Sequence, residues 1–302
     1  MLERSQALVV GSINMDLVLQ VGAPPRPGET ILASHAELLP GGKGANQAVA
    51  ASRLGLRVRM AGLVGDDAVG AALREGLARE GVLTDTVAGA RGMSGMAAIT
   101  LMPDGENSIT VAQGANGELT PAFVEGLPAE AFACEVLLLQ LEVPVASATL
   151  AARRARAAGA QVLLNPSPPC EGTGELLPLS TWVVPNRLEA EMLTGLADPA
   201  AAARAVLQQG PQAVFVTLGA EGALVATRDG ERLVAAPEVR VVDTTGAGDA
   251  FLGALAYALC QGLDPFAAAS LATLAGAAAT RRRGAQAALP TLDGLRALGY
   301  AG

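Results

Sequence analysis

The chain has 302 residues, enough for one large α/β domain or a domain with a small appendage. Apolar residues make up 51% and aromatic ones 3%, so the core must be built from Ala, Val and Leu. A net charge of -8 argues against nucleic acid or an anionic membrane as partner, and the single histidine, His35, excludes a His-bearing catalytic triad and a multi-histidine metal site.

In chain order, residues 7–11 form a short apolar run that reads as a first strand and leaves Asn14 and Asp16 at its carboxyl end. Residues 17–21 and 31–39 read as strands, separated by a Pro-rich break at 24–29. Gly41-Gly42-Lys43-Gly44-Ala45-Asn46 then opens a helix through Leu54. It is not a P-loop, because the lysine is misplaced and no Ser or Thr follows it. Lys43 is the only lysine among 21 basic residues, which points to a need for a compact ammonium there. With Asn46 one turn away, it either grasps a polyhydroxylated ligand or merely starts a glycine-rich helix. Residues 58–64 and 67–80 read as strand and helix. Residues 96–102 and 108–112 flank a hairpin signal, Pro103-Asp104-Gly105-Glu106-Asn107. These outlying strands suggest a small sheet inserted in an α/β chain.

From 135 onward, strands at 136–141, 162–164, 181–184 and 213–217 alternate with helices at 146–158, 186–194 and 199–209. That alternation implies βαβ crossovers and a mostly parallel sheet covered on both faces. Ligands of such sheets bind beyond the strands' carboxyl ends, where Asn14, Asp16, Glu142, Asn165, Asn186, Gly219 and Asp249 all fall. Val241 and Val242 read as a strand end leading through Gly246-Ala247-Gly248 into a helix at 250–258. Amides at such a helix start can hold phosphate, yet Asp249 would repel it. Asp249 either caps the helix or takes a proton from a hydroxyl attacking a phosphoryl group. Residues 267–280 are too few to span a bilayer and read as a buried helix, and Arg281-Arg282-Arg283 complements its C-terminus. Cys134, Cys170 and Cys260 suggest reduced thiols, and no basic-then-apolar leader precedes the first strand, so a cytoplasmic location is expected.

GGKGANQAVAASRLG near the N-terminus and DTTGAGDAF near the C-terminus resemble the two signatures of the ribokinase-like (PfkB) sugar kinases. GSINMD, PGET, QLE, NPSP, PNRLEAEMLTG, TLGAEGA and RRRGAQ match the same family in its order and cover nearly the whole chain. The resemblance implies a three-layer α/β/α sandwich with a mostly parallel central sheet, spanning 1–302, plus a β-sheet lid inserted from about 17–40 and 94–113. It implies ATP-dependent phosphorylation of D-ribose at its 5-hydroxyl and dimerisation through the lids. Asn14, Asp16, Gly42, Lys43, Asn46 and Glu142 would bind the sugar, Asp249 would be the catalytic base, and the Gly246, Ala247 and Gly248 amides the anion hole. Asn186 and Glu189 match a motif that places Mg²⁺ and phosphate. Thr217, Leu218, Gly219, Ala220, Glu221 and Gly222 match the nucleotide-binding turn, and Thr273 sits where the family contacts adenine.

The resemblance also implies a monovalent cation, usually K⁺, held by Asp243 and the carbonyls of Thr245, Ala279, Arg282 and Gly284. The family usually adds a serine hydroxyl where this chain has Ala288, so the expected cage lacks one side-chain ligand. Kinases for 2-deoxyribose, fructose or a nucleoside are the nearest alternatives; scarce aromatics argue against a nucleoside's base pocket. A sugar-binding protein without chemistry would be expected to lose Asp249 or the glycine turn. A nicotinamide oxidoreductase lacks its GxGxxG after the first strand.

Overall fold

The apolar runs of the main sheet pair as parallel strands, most of them joined by a helix that crosses back over the sheet. The computed structural model describes residues 6–102 and 107–300. Its first part holds β1 (Ala7–Val10), β2 (Asn14–Gln20), β3 (His35–Gly41), α1 (Lys43–Arg53), β4 (Val58–Gly65), α2 (Ala68–Arg79), β5 (Leu83–Ala90), β6 (Gly95–Leu101) and β7 (Asn107–Ala112). The middle holds α3 (Pro121–Gly126), β8 (Val136–Leu139), α4 (Val145–Ala157), β9 (Gln161–Leu164), β10 (Trp182–Val183), α5 (Arg187–Thr194) and α6 (Pro199–Leu207). The last part holds β11 (Ala213–Thr217), β12 (Ala223–Thr227), β13 (Gly230–Val234), α7 (Ala247–Cys260), α8 (Pro265–Ala279), α9 (Ala285–Ala288) and α10 (Leu292–Ala297).

Nine strands form the main sheet in the order β13-β12-β11-β10-β9-β8-β1-β4-β5. The seven from β11 to β5 are mutually parallel, and β12 and β13 add an antiparallel edge. Alternate residues feed two cores: Ala7, Val9, Val136 and Leu138 pack against α1, α7 and α8, while Leu8, Val10, Leu137 and Leu139 pack against α4 and α6. This is the expected three-layer sandwich. Among the described residues no helix is long and apolar enough to cross a membrane.

A second sheet has the order β3-β2-β6-β7. Its cross-strand pairs put Asp16, Val18, Leu39, Ile99, Ile109 and Val111 on one face. β2 starts at Asn14, earlier than the alternation suggested, because Asn14 pairs with both Gly41 and Gly95. β3 starts later, at His35. The hairpin turn expected at 103–107 falls on residues 103–106, which lie outside the described residues. The strand end expected at 241–242 is absent: Val241 and Val242 are 56% and 51% exposed, and Val242 N–H donates instead to the Thr280 carbonyl.

Helices α1 and α7 approach unusually closely. A Cβ on Gly253 of α7 would lie 2.4 Å from Ala50 Cβ and 2.8 Å from Ala51 N. Gly253 is one turn below Asp249, and Ala50 is one turn below Asn46, so this contact sets how near those two side chains come.

Candidate active site

Three glycines let the 41–44 turn lie directly on the exit from β1. A Cβ on Gly42 (φ 90°) would lie 2.7 Å from Asn14 N, one on Gly44 2.7 Å from Ser12 N, and one on Gly41 2.0 Å from Asp16 Oδ2. Ser12 Oγ–H donates to Glu142 Oε2 at 2.5 Å and accepts from Gly44 N–H at 3.2 Å; the same Glu142 oxygen accepts from Lys43 N–H at 3.1 Å. Glu142 is thus fixed at the start of α1. Asn116 orients Asn14. Its Oδ1 accepts from Ile13 N–H at 2.9 Å, so its Nδ2 must donate to Asn14 Oδ1, at 2.7 Å, leaving the Asn14 amide nitrogen free to donate.

Asp249 stands in the first turn of α7, buried. Asn46 Nδ2 donates to its Oδ2 at 2.9 Å and Gln47 Nε2 to its Oδ1 at 3.0 Å. Burial pushes the Asp249 carboxyl up, opposed by the charge of Lys43 and by the two amide donors. Asp16 is pushed up to about 7 by burial and then by the charges of Glu142 and Asp249. Asp16 thus lies within electrostatic reach of two other carboxylates, and the Lys43 ammonium acts on Asp249. Asp16 Oδ1 and Asn46 Oδ1 are buried with no hydrogen-bond donor. Each orphan acceptor costs about 1–3 kcal/mol, which a ligand bearing hydroxyl groups would relieve.

At the start of α7, Gly246 adopts φ 77°, where a Cβ would press on Ala285 Cα at 3.0 Å. Of the three expected anion-hole amides, that of Ala247 is turned to the Thr244 carbonyl at 3.2 Å. The amides of Gly246 and Gly248 have no acceptor among the described residues. The lining of a cleft beside them includes Lys43, Asn186, Glu189, Thr217, Gly248 and Asp249, with Asn165, Ser167 and Thr244 also on its wall. Asn186 and Glu189 form a capping box: Glu189 N–H donates to Asn186 Oδ1 and Asn186 N–H to Glu189 Oε2, both at 2.8 Å. Glu189 is accordingly a first-turn capping carboxylate with Oε1 left over.

Leu218, Gly219, Ala220, Glu221, Gly222 and Thr273 do not line that cleft. Residues 218–222 make a tight turn after β11, closed by a Leu218 N–H to Gly222 carbonyl bond of 2.8 Å. Gly222 is required there, since a Cβ would lie 2.0 Å from the Val234 carbonyl oxygen. Thr273 Oγ1 is buried on α8 without a partner.

Asp243 ties two loops together. Its Oδ1 accepts from Thr245 N–H at 2.9 Å and Thr245 Oγ–H at 2.7 Å, and its Oδ2 from Gly284 N–H at 2.9 Å. Burial alone would raise this carboxyl, but the Gly284 and Thr245 hydrogen bonds and the Arg283 charge outweigh it and hold it low. Arg283 thus serves Asp243 rather than only the end of α8. Among the described residues no group of three or more His, Cys, Asp or Glu could hold a metal alone, so a divalent ion would need ligands from elsewhere, such as nucleotide phosphates.

Ser12, Gln47, Asn116, Gln140 and Thr244 were not assigned roles by sequence reasoning. Ser12, Gln47, Gln140 and Thr244 lie inside the quoted motifs, and Asn116 lies in none of them.

The chain matches the profile described as pfkB family carbohydrate kinase over residues 4–292. It is 38% identical over 296 residues to ribokinase from Haemophilus influenzae, covering 95% of this chain and 96% of that one. It is 36% identical over 292 residues to deoxyribokinase from Salmonella typhi, covering 94% and 95%. It also resembles the structure of Arabidopsis thaliana ribokinase complexed with ribose and ATP, at a TM-score of 0.86 and 29% identity over 98% of this chain and 99% of that one. A three-layer fold, a carboxylate at a glycine-rich helix start and these likenesses agree: the chain belongs to the pfkB family of carbohydrate kinases.

Proposed function

We propose that this protein transfers the γ-phosphoryl group of ATP to the 5-hydroxyl of D-ribose, giving ADP and ribose 5-phosphate. The observation that carries the reading is Asp249: a buried carboxylate beside Lys43, gripped by two α1 amides, at the mouth of a cleft that also holds Asn186 and Thr217. In this reading the sugar's hydroxyls donate to Asp16, Glu142 and the Asn46 carbonyl, and accept from Asn14 and Lys43, over the Gly42 backbone. Asp249 takes the proton of the 5-hydroxyl as that oxygen attacks phosphorus. The free amides of Gly246 and Gly248, with Ala247 shaping the turn, steady the charge on the transferring group.

Asn186, Thr217 and the 218–222 turn would hold the nucleotide, with Thr273 toward the base. Mg²⁺ would ride on the phosphates, placed by Glu189, and would neutralise their charge. Asp243 and the carbonyls of Thr245, Ala279, Arg282 and Gly284 would hold K⁺, ordering the α7 loop without touching the sugar. The second sheet, covering roughly 17–40 and 94–113, would act as a lid and as a homodimer surface, a role that the exposed Ile109 and Val111 support. A cytoplasmic location goes with this activity.

Purified protein with ATP, Mg²⁺ and ribose should release ADP, and Asp249→Ala should abolish this while ribose binding survives; normal turnover by that variant would refute the assignment. The match to a deoxyribokinase favours 2-deoxyribose as the second reading. A kcat/KM comparison of the two sugars decides, because a buried site built for a hydroxyl discriminates strongly against its loss.

A further inference from the structure

Asp249 is held from one side by a chain of amides, of which Gln47 and Gln140 are fully buried and Asn165 reaches the cleft wall. Gln47 is fully buried, one residue beyond Asn46 on α1. A carboxylate only accepts, so Gln47 must turn its NH₂ group to Asp249 Oδ1 (3.0 Å). The second proton of that group faces Asn165 Oδ1 at 3.4 Å. Gln47 Oε1 is thereby aimed the other way and accepts from Gln140 Nε2 at 2.5 Å. Asn165 Nδ2 is in turn anchored on the Val184 carbonyl at 2.9 Å. Gln140 and Asn165 directly follow β8 and β9, in the middle of the main sheet. Gln140 fits only because Gly11 lacks a side chain: a Cβ there would lie 2.0 Å from Gln140 Oε1, which itself has no donor.

The network is costly. Apolar side chains at 47 and 140 together would fill the space without the orphaned Gln140 oxygen, so packing alone does not account for three buried amides. Their common effect is on one carboxylate oxygen. We infer that Gln47, braced by Gln140 and Asn165, is a positioning residue for phosphoryl transfer: it fixes the rotation of the Asp249 carboxylate and commits Oδ1 to a protein donor. Asn46 holds the other oxygen, Oδ2, at 2.9 Å, so that together the two amides set the plane of the carboxylate. The inference rests on Asp249 being the base.

Other charges near Asp249 are Lys43 on α1, Glu142 after β8 and Asp16 on β2. None changes in a Gln47→Leu variant, so a shift in the pH profile reports the lost amide itself. Removing a donor to the ionised form raises the carboxyl further. The test is single-turnover ribose phosphorylation by rapid quench across pH, with ribose binding and thermal unfolding measured alongside. Gln47→Leu is expected to slow the chemical step roughly 10–100-fold, leave ribose Kd within about 3-fold, and move the acid limb up by about one pH unit. Gln140→Met, which only removes the brace, should act in the same direction more weakly.

If Gln47→Leu folds and binds ribose with the rate and acid limb of the parent, the positioning role is wrong. If it does not fold, Gln140→Met decides, and a parental rate and limb there overturn the proposal. Asp249→Asn is run in parallel: if it keeps its turnover, the base assignment fails instead, independently of what Gln47 does.

Discussion

Gly253→Ala tests how the fold positions the base. The new methyl would lie 2.4 Å from Ala50 Cβ, 2.8 Å from Ala51 N and 2.9 Å from Ala50 C. Carbon atoms rest about 3.5–4.0 Å apart, so α1 and α7 must part by more than about 1 Å at this level. Overpacking of this kind costs about 1–3 kcal/mol, against about 1 kcal/mol gained from alanine's better helix propensity. The net expectation is a loss of up to about 2 kcal/mol. One turn above, the same separation pulls Asn46 and Gln47 from Asp249, and a displacement near 1 Å is worth about 10²-fold in rate. Thermal unfolding and single-turnover phosphorylation measure the two effects. Gly76→Ala in α2 is the control, because a Cβ there meets nothing within 4 Å; it should stabilise by up to about 1 kcal/mol with an unchanged rate. If Gly253→Ala also stabilises the protein and keeps its rate, close helix contact does not set the geometry of Asp249.

Asp16 gives a pH dependence with a definite sign. Its folded value of about 7 lies above the ordinary 3.8, so the folded state binds the extra proton between them, and stability falls as pH rises through that window. Denaturant titrations from pH 4 to 8 should show the decline, and Asp16→Asn should flatten it. Asp85→Ala should cost roughly 1–3 kcal/mol by chemical unfolding, because it removes the 2.9 and 3.1 Å charge-assisted contacts between a half-exposed carboxylate and the buried Arg59 side chain. Ala288→Ser should lower the K⁺ concentration for half-activation, and Asp243→Asn should abolish activation by K⁺, both read from initial rates against added KCl.

The central strands were legible because each is a short apolar run ending in polar residues. β5 was not: Leu83-Thr84-Asp85-Thr86 has no clean alternation, and its place at the sheet edge buries little of it. The β12–β13 hairpin was missed likewise, since β13 is almost wholly exposed. Val241-Val242 misled in the other direction, as β-branched residues on a surface loop whose backbone bonds to Thr280. Asn14, Asp16, Lys43, Asn46, Glu142 and Asp249 could be picked out from position and motif. Gln47 could not, because an uncharged amide inside a helix gains meaning only when another helix, 202 residues away, brings a carboxylate against it. Asn116 has the same history, acting across 102 residues on Asn14.

The most direct measurement is the rate of the phosphoryl-transfer step in Asp249→Asn, followed by rapid quench, beside the ribose affinity of the same variant. The account predicts a rate lower by about 10²–10⁴-fold with ribose Kd changed only a few-fold. A chemical step within about 3-fold of the parent would contradict it, since no proton acceptor at 249 would then be needed.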